Sequence, residues 1–110
     1  MEIKIQTIED IQVAVLAGEV NSTTAPEVSE EILPLAQPGS KILLDMSGVS
    51  YMSSAGLRIL LSLYRQTEAK SGKLVLVGLS EDLRDTMTVT GFLDFFTTSD
   101  TLEAGLAILK

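Results

Sequence analysis

The 110-residue chain contains no cysteine, no histidine and no tryptophan. Without cysteine there is no disulfide, no thiol nucleophile and no thiolate metal site. Without histidine the usual proton shuttle near neutral pH is missing as well. These absences set most common enzyme chemistries aside. Positive charge is also scarce: eight Lys and Arg against fifteen Asp and Glu leave a formal charge of -7. A nucleic-acid partner calls for a basic face, so that class is disfavoured. No apolar run reaches the ~18 residues of a membrane span, and the start Met1-Glu2-Ile3-Lys4 lacks the form of a secretory signal. A cytoplasmic protein with no membrane or nucleic-acid partner is the expectation. What the chain does have is apolar content, 45% against 21% charged residues, enough to bury a core in one compact domain spanning residues 1–110.

Alternation at Ile3-Lys4-Ile5-Gln6 and the run Val13, Val15, Leu16 predict two strands joined at Glu9-Asp10. Gly18-Glu19 closes the second. Asn21 to Thr24 offers N-caps ahead of Ala25-Pro26, and Val28, Ile32 and Leu35 have helical spacing that Pro34 should end early. Lys41 to Met46 reads as a strand buried on both faces, and Ser47 to Ser53 as a loop of small residues. Leu57, Leu60, Leu61 and Tyr64 then predict a helix to about Lys70, with a buried strand over residues 74–77 behind it. Ser80 should cap a helix that stops at Gly91. Phe92, Phe95 and Phe96 read as core or a short strand. Asp100 and Glu103 resemble a capping box for a last helix, which Gly105 should weaken by ~1 kcal/mol. The expected architecture is α/β, a mixed four- to five-stranded sheet with about four helices packed against it.

Charge is unevenly placed. Residues 1–40 set Lys4 against seven acids, whereas residues 41–73 carry five bases (Lys41, Arg58, Arg65, Lys70, Lys73) against Asp45 and Glu68. The net-positive segment also holds Ser47, Ser50, Ser53 and Ser54, directly ahead of the long helix. Ser53 or Ser54 is expected to cap that helix with its hydroxyl, an interaction of ~0.5–2 kcal/mol. A serine at a helix N-terminus is also a favourable phosphate carrier, because free N–H groups and the helix dipole stabilise the dianion. Arg58 lies one turn further on and could pair with it. Asp45 could in principle bind a metal with Glu19; accepting N–H bonds from the following segment explains it better. A Ser54 nucleophile would have only a lysine such as Lys41, Lys70 or Lys73, or a carboxylate, as its base.

The stretch Asp45-Met46-Ser47-Gly48-Val49-Ser50-Tyr51-Met52-Ser53-Ser54-Ala55-Gly56-Leu57 resembles the signature of the STAS family, the bacterial anti-sigma-factor antagonists. Gly18-Glu19-Val20-Asn21, Gly72-Lys73-Leu74-Val75-Leu76 and Thr90-Gly91-Phe92 match the family pattern in order and spacing. The resemblance implies a STAS fold and partner switching. In such a switch the unphosphorylated antagonist binds an anti-sigma serine kinase, which itself binds ATP. Phosphorylation breaks that contact and a metal-dependent serine phosphatase restores it. Aligned on Met52 and Gly56-Leu57, the phosphorylated position falls on Ser54, with Ser53 a competing acceptor. Partner contacts would come from Glu19, Asn21, Ser22, Ser53, Ser54, Ala55, Gly56 and Arg58. The chain departs from the pattern at Ser53, where the family carries Asp, at Ala55 in place of a hydroxyl residue, and at Asn21 in place of Asp. The resemblance implies no cofactor and no catalysis by the chain itself. It leaves one alternative, a non-switching STAS scaffold or sensor subunit in another signalling complex.

Overall fold

The computed structural model describes all 110 residues. Strand β1 (Glu2–Ile8) turns back at Glu9-Asp10 into β2 (Ile11–Val20), and the two pair antiparallel with Ile5 opposite Ala14. The tight turn needs a left-handed residue, and Glu9 takes φ +58°. Helix α1 (Ala25–Ile32) stops where Pro34 forces a single 3-10 turn over Leu33–Leu35, as the proline predicted. β3 (Lys41–Met52), α2 (Ser54–Ala69), β4 (Lys73–Val77), α3 (Glu81–Val89), β5 (Thr97–Ser99) and α4 (Leu102–Leu109) complete the chain. The sheet order follows the sequence, β1-β2-β3-β4-β5, and every pair after the first is parallel.

Alternation along the central strands divides the interior in two. Ala14, Leu16, Ile42, Leu44, Met46 and Leu76 face α1, α2 and α3, joined by Ile32, Leu60, Leu63, Leu83 and Met87. Ile11, Val13, Leu43, Val75 and Val77 face the other way, against Leu109 of α4. One short helix therefore covers the second face. It can do so because Gly105 lies against the sheet: a Cβ there would fall 2.7 Å from Val77 Cγ2 and 2.9 Å from Leu43 Cδ1. The glycine that weakens α4 as a helix is what lets it dock.

Three local expectations change. Residues 47–52 are not a loop but the far half of β3, held beside β2 through register shifts between Val15 and Ala17 and between Gly18 and Glu19. Small residues make this fit, since a Cβ on Gly48 would meet the Ala17 Cβ at 3.0 Å. The cap of α4 is Thr101, whose Oγ1 accepts from Ala104 N at 3.1 Å, so the Asp100–Glu103 box does not form. Phe92–Phe95 form a 3-10 turn rather than a strand. Phe92 and Phe96 pack on the larger core, while Phe95 leans on Tyr64 with ring centroids 5.6 Å apart. Ser80 and Gly91 behave as expected: Ser80 Oγ accepts from Leu83 N at 3.1 Å, and Gly91 takes the left-handed φ of +79° just past α3.

Candidate functional site

In a parallel sheet the loops that follow the strands gather at one end, where open α/β folds place their sites. Here β2 and β3 finish side by side, Glu19 opposite Tyr51 and Val20 opposite Met52. Ser53 N then donates to Val20 O at 2.8 Å, tying the start of α2 to the end of β2. The segment 19–24 is stiffened by its own polar groups. Asn21 Oδ1 accepts from Thr23 N and Thr24 N at 2.9 and 3.1 Å. Thr24 Oγ1 accepts from Asn21 N at 2.9 Å and donates to Glu19 O at 2.8 Å. This turn needs only a side-chain carbonyl oxygen at position 21, which asparagine supplies as well as aspartate does.

The two serines at the head of α2 differ sharply. Ser53 is the N-cap residue by backbone conformation (φ -79°, ψ 175°), but its hydroxyl caps nothing. Its Oγ is buried without a hydrogen-bond partner. The expected side-chain cap is therefore absent, because the hydroxyl points inward rather than along the helix end. Ser54, the first helical residue, is exposed. The first helical bond runs from Leu57 N to Ser53 O at 3.0 Å, which leaves the N–H groups of Ser54, Ala55 and Gly56 ahead of the ladder. No side chain caps them with a hydrogen bond.

Of the residues singled out from the sequence, Glu19, Asn21 and Ser22 on one side and Ser53 to Arg58 on the other come together at this end. Glu19, Ser22, Ser54 and Arg58 are exposed, Asn21 and Ala55 half-buried. Gly56 is buried, and it acts as a spacer: a Cβ would fall 2.5 Å from Met52 Cγ and 2.8 Å from Val20 Cγ1. Arg58 pairs with no acid, since the sole ion pair joins Lys41 to Asp10 at 3.1 Å. Asp45 Oδ1 accepts from Ser47 N at 3.0 Å and Ser47 Oγ at 2.6 Å, the backbone-holding role expected of it. No group of three or more acidic, His or Cys side chains converges to hold a metal. Lys41 and Lys73 begin β3 and β4 and so lie at the opposite end of the sheet from Ser54, while Lys70 Nζ donates to Ala36 O at 2.8 Å. None can serve Ser54 as a base.

Sequence reasoning passed over Tyr51. It stands on the part of β3 that outruns β4 and is 55% exposed. With Ser50, Met52, Asp82, Leu83 and Thr86 it lines a shallow cavity of about 100 Å³ between the end of β3 and α3. An aromatic among small residues at a strand end was the available signal.

The STAS domain family matches residues 2–105. The chain belongs to the STAS family. An anti-sigma-B factor antagonist of Bacillus subtilis is 35% identical over 101 residues, covering 92% of each chain. Among solved structures, an anti-sigma factor antagonist from Mycobacterium paratuberculosis superposes with a TM-score of 0.85 at 23% identity, over 98% of this chain and 92% of that one. The Bacillus cell fate determinant SpoIIAA in its phosphorylated form superposes with a TM-score of 0.75 at 20% identity, over 99% of this chain and all of that one. These structural likenesses establish the fold. As a STAS domain of the antagonist type the protein is a regulatory binding module, not an enzyme. No helix is long and apolar enough to cross a membrane.

Proposed function

We propose that this STAS domain is an anti-sigma-factor antagonist that works by partner switching in the cytoplasm. The unphosphorylated form binds an anti-sigma serine kinase through the exposed end of the sheet. Phosphorylation of Ser54 breaks the contact, and a metal-dependent serine phosphatase resets it. The observation that carries this reading is the contrast between the serines: Ser54 is exposed at the head of α2, and the Ser53 Oγ is buried. A kinase can reach the first hydroxyl and not the second.

The switch has a simple physical basis. A phosphate adds about -1.5 to -2 charges at pH 7. The uncovered N–H groups at the head of α2 and the unpaired Arg58 receive it without refolding the domain. At a protein interface the same group has to be desolvated, and an unmatched charge there costs several kcal/mol. About 3 kcal/mol already weakens binding more than a hundredfold.

Incubation with a cognate serine kinase and ATP, followed by peptide mass spectrometry, tests the assignment. One phosphate on Ser54 is expected, with none in Ser54→Ala. Ser54→Asp should bind the kinase at least tenfold more weakly. Phosphate on Ser53, or no phosphate at all, sinks the switch and leaves the non-switching scaffold.

A further inference from the structure

Strand β1 is an open edge. It pairs with β2 on one side only, so a row of backbone N–H and C=O groups faces outward along seven residues. The opposite edge, β5, has only three residues. Natural sheets blunt a long edge with charged side chains, lysine above all, with proline or with a bulge. Glu2–Ile8 has neither proline nor bulge, its register with β2 is unbroken, and Lys4 is its single lysine. Its one acid, Glu2, is balanced by its one base, Lys4, so the strand is neutral in a chain of net charge -7. A second copy of an acidic molecule approaches most easily along such a neutral edge. At mid-strand Ile5 is 38% exposed, the large apolar side chain that β1 leaves to solvent.

We propose that β1 is a self-association edge, pairing antiparallel with β1 of a second copy to make one ten-stranded sheet. A two-fold axis normal to the sheet passes through Ile5, the midpoint of Glu2–Ile8. That register pairs all seven residues: Ile5 meets its own copy, Ile3 meets Thr7, Lys4 meets Gln6 and Glu2 meets Ile8. Sliding each strand so that the axis falls on Lys4 sets two lysines directly opposite, which is unfavourable. Sliding it to Ile3 leaves Gln6, Thr7 and Ile8 unpaired. The axis reverses strand direction between copies, so the two Ser54 ends lie at opposite ends of the joint sheet. Association therefore leaves both partner surfaces open, and the inference does not depend on the switch.

The test uses the intact chain. Light scattering should give a mass rising with concentration towards twice the 11.8 kDa of one chain. Ile5→Lys, which puts like charges on the axis, should stay at the single-chain mass with an unchanged circular dichroism spectrum. Because the chain has no cysteine, Ile5→Cys gives a clean crosslink: mild oxidation should convert it to a disulfide dimer. Thr7→Cys should not crosslink alone but should do so when mixed with Ile3→Cys. A single-chain mass at every concentration overturns the proposal, as does a dimer that survives Ile5→Lys. Self-crosslinking of Thr7→Cys as readily as Ile5→Cys overturns it too.

Discussion

Two adjacent serines separate burial from use. An N-cap hydroxyl that bonds the helix end is worth ~0.5–2 kcal/mol, and removing it costs that much. Ser53 occupies the cap position, but its Oγ bonds nothing and is shut off from water. Ser53→Ala should therefore leave urea stability within about 0.5 kcal/mol of the parent, or raise it slightly, because a buried unsatisfied hydroxyl is removed. Ser80→Ala and Thr101→Ala, which delete hydroxyls that do cap, should each lose about 1 kcal/mol in the same assay. If Ser53→Ala falls as far as those two, the inward orientation of its hydroxyl is wrong. Gly56 gives the opposite test. A methyl group there would press on Met52 and Val20, the residues that end β3 and β2. Gly56→Ala should lower the urea midpoint by an amount equivalent to ~1–3 kcal/mol. Since those strand ends fix where Ser54 stands, partner binding should weaken alongside stability. A Gly56→Ala protein as stable as the parent would show that the contact relaxes freely.

Among the elements, α4 shows where local propensity and packing disagree. Propensity alone expects Gly105→Ala to stabilise by roughly 1 kcal/mol. The approach of α4 to Leu43 and Val77 leaves no room for the added carbon, so the net effect should be a loss, read as a lower melting temperature. An increase would mean that α4 can slide off the sheet at little cost. The same contrast explains how much of the fold was legible. Strong alternation in β1 and the apolar runs of β3 and β4 located those strands, because burial on one or two faces writes itself into residue type. Gly91 and Pro34 marked helix ends through backbone geometry that few other residues adopt. The far half of β3 was hidden, because Ser47, Gly48 and Ser50 are small and carry little strand signal, and only the neighbouring Ala17 and Gly18 make the stretch a strand. Thr101 was hidden behind Asp100 for a similar reason: both are good caps, and tertiary position selects between them. The head of α2 was legible as a site from its motif. Which of its serines is open was not, since a rotamer's direction leaves no trace in residue order.

At the scale of the whole molecule, acidity is spread over both ends of the chain, and one carboxylate is held by a cation. The hydrogen bond from Lys41 holds the Asp10 carboxyl below the ordinary 3.8. A lowered acid stabilises the fold above its unfolded value and loses that contribution as pH falls through the folded one. The effect is thus confined to strongly acidic solution, and salt should screen it because the pair is at the surface. The chain lacks histidine, the side chain whose unperturbed pKa lies between about pH 5 and 8. Phosphorylation of Ser54 would add a group that titrates in that range. The second phosphate ionisation lies near pH 6, and helix N–H groups favour the dianion, so the folded-state value should fall below the unfolded one. By the same sign rule the phosphate stabilises the domain above about pH 6, and the gain disappears as pH falls through the lowered folded value. Melting of the phosphorylated and unmodified proteins should therefore diverge at neutral pH by an amount equivalent to ~0.3–1 kcal/mol and converge near pH 5. A phosphorus NMR titration should place the folded phosphate below its value in a short peptide. A difference that stays flat with pH, or grows as the solution becomes acidic, would show that the head of α2 does not receive the phosphate and that the switch acts only at the partner's surface.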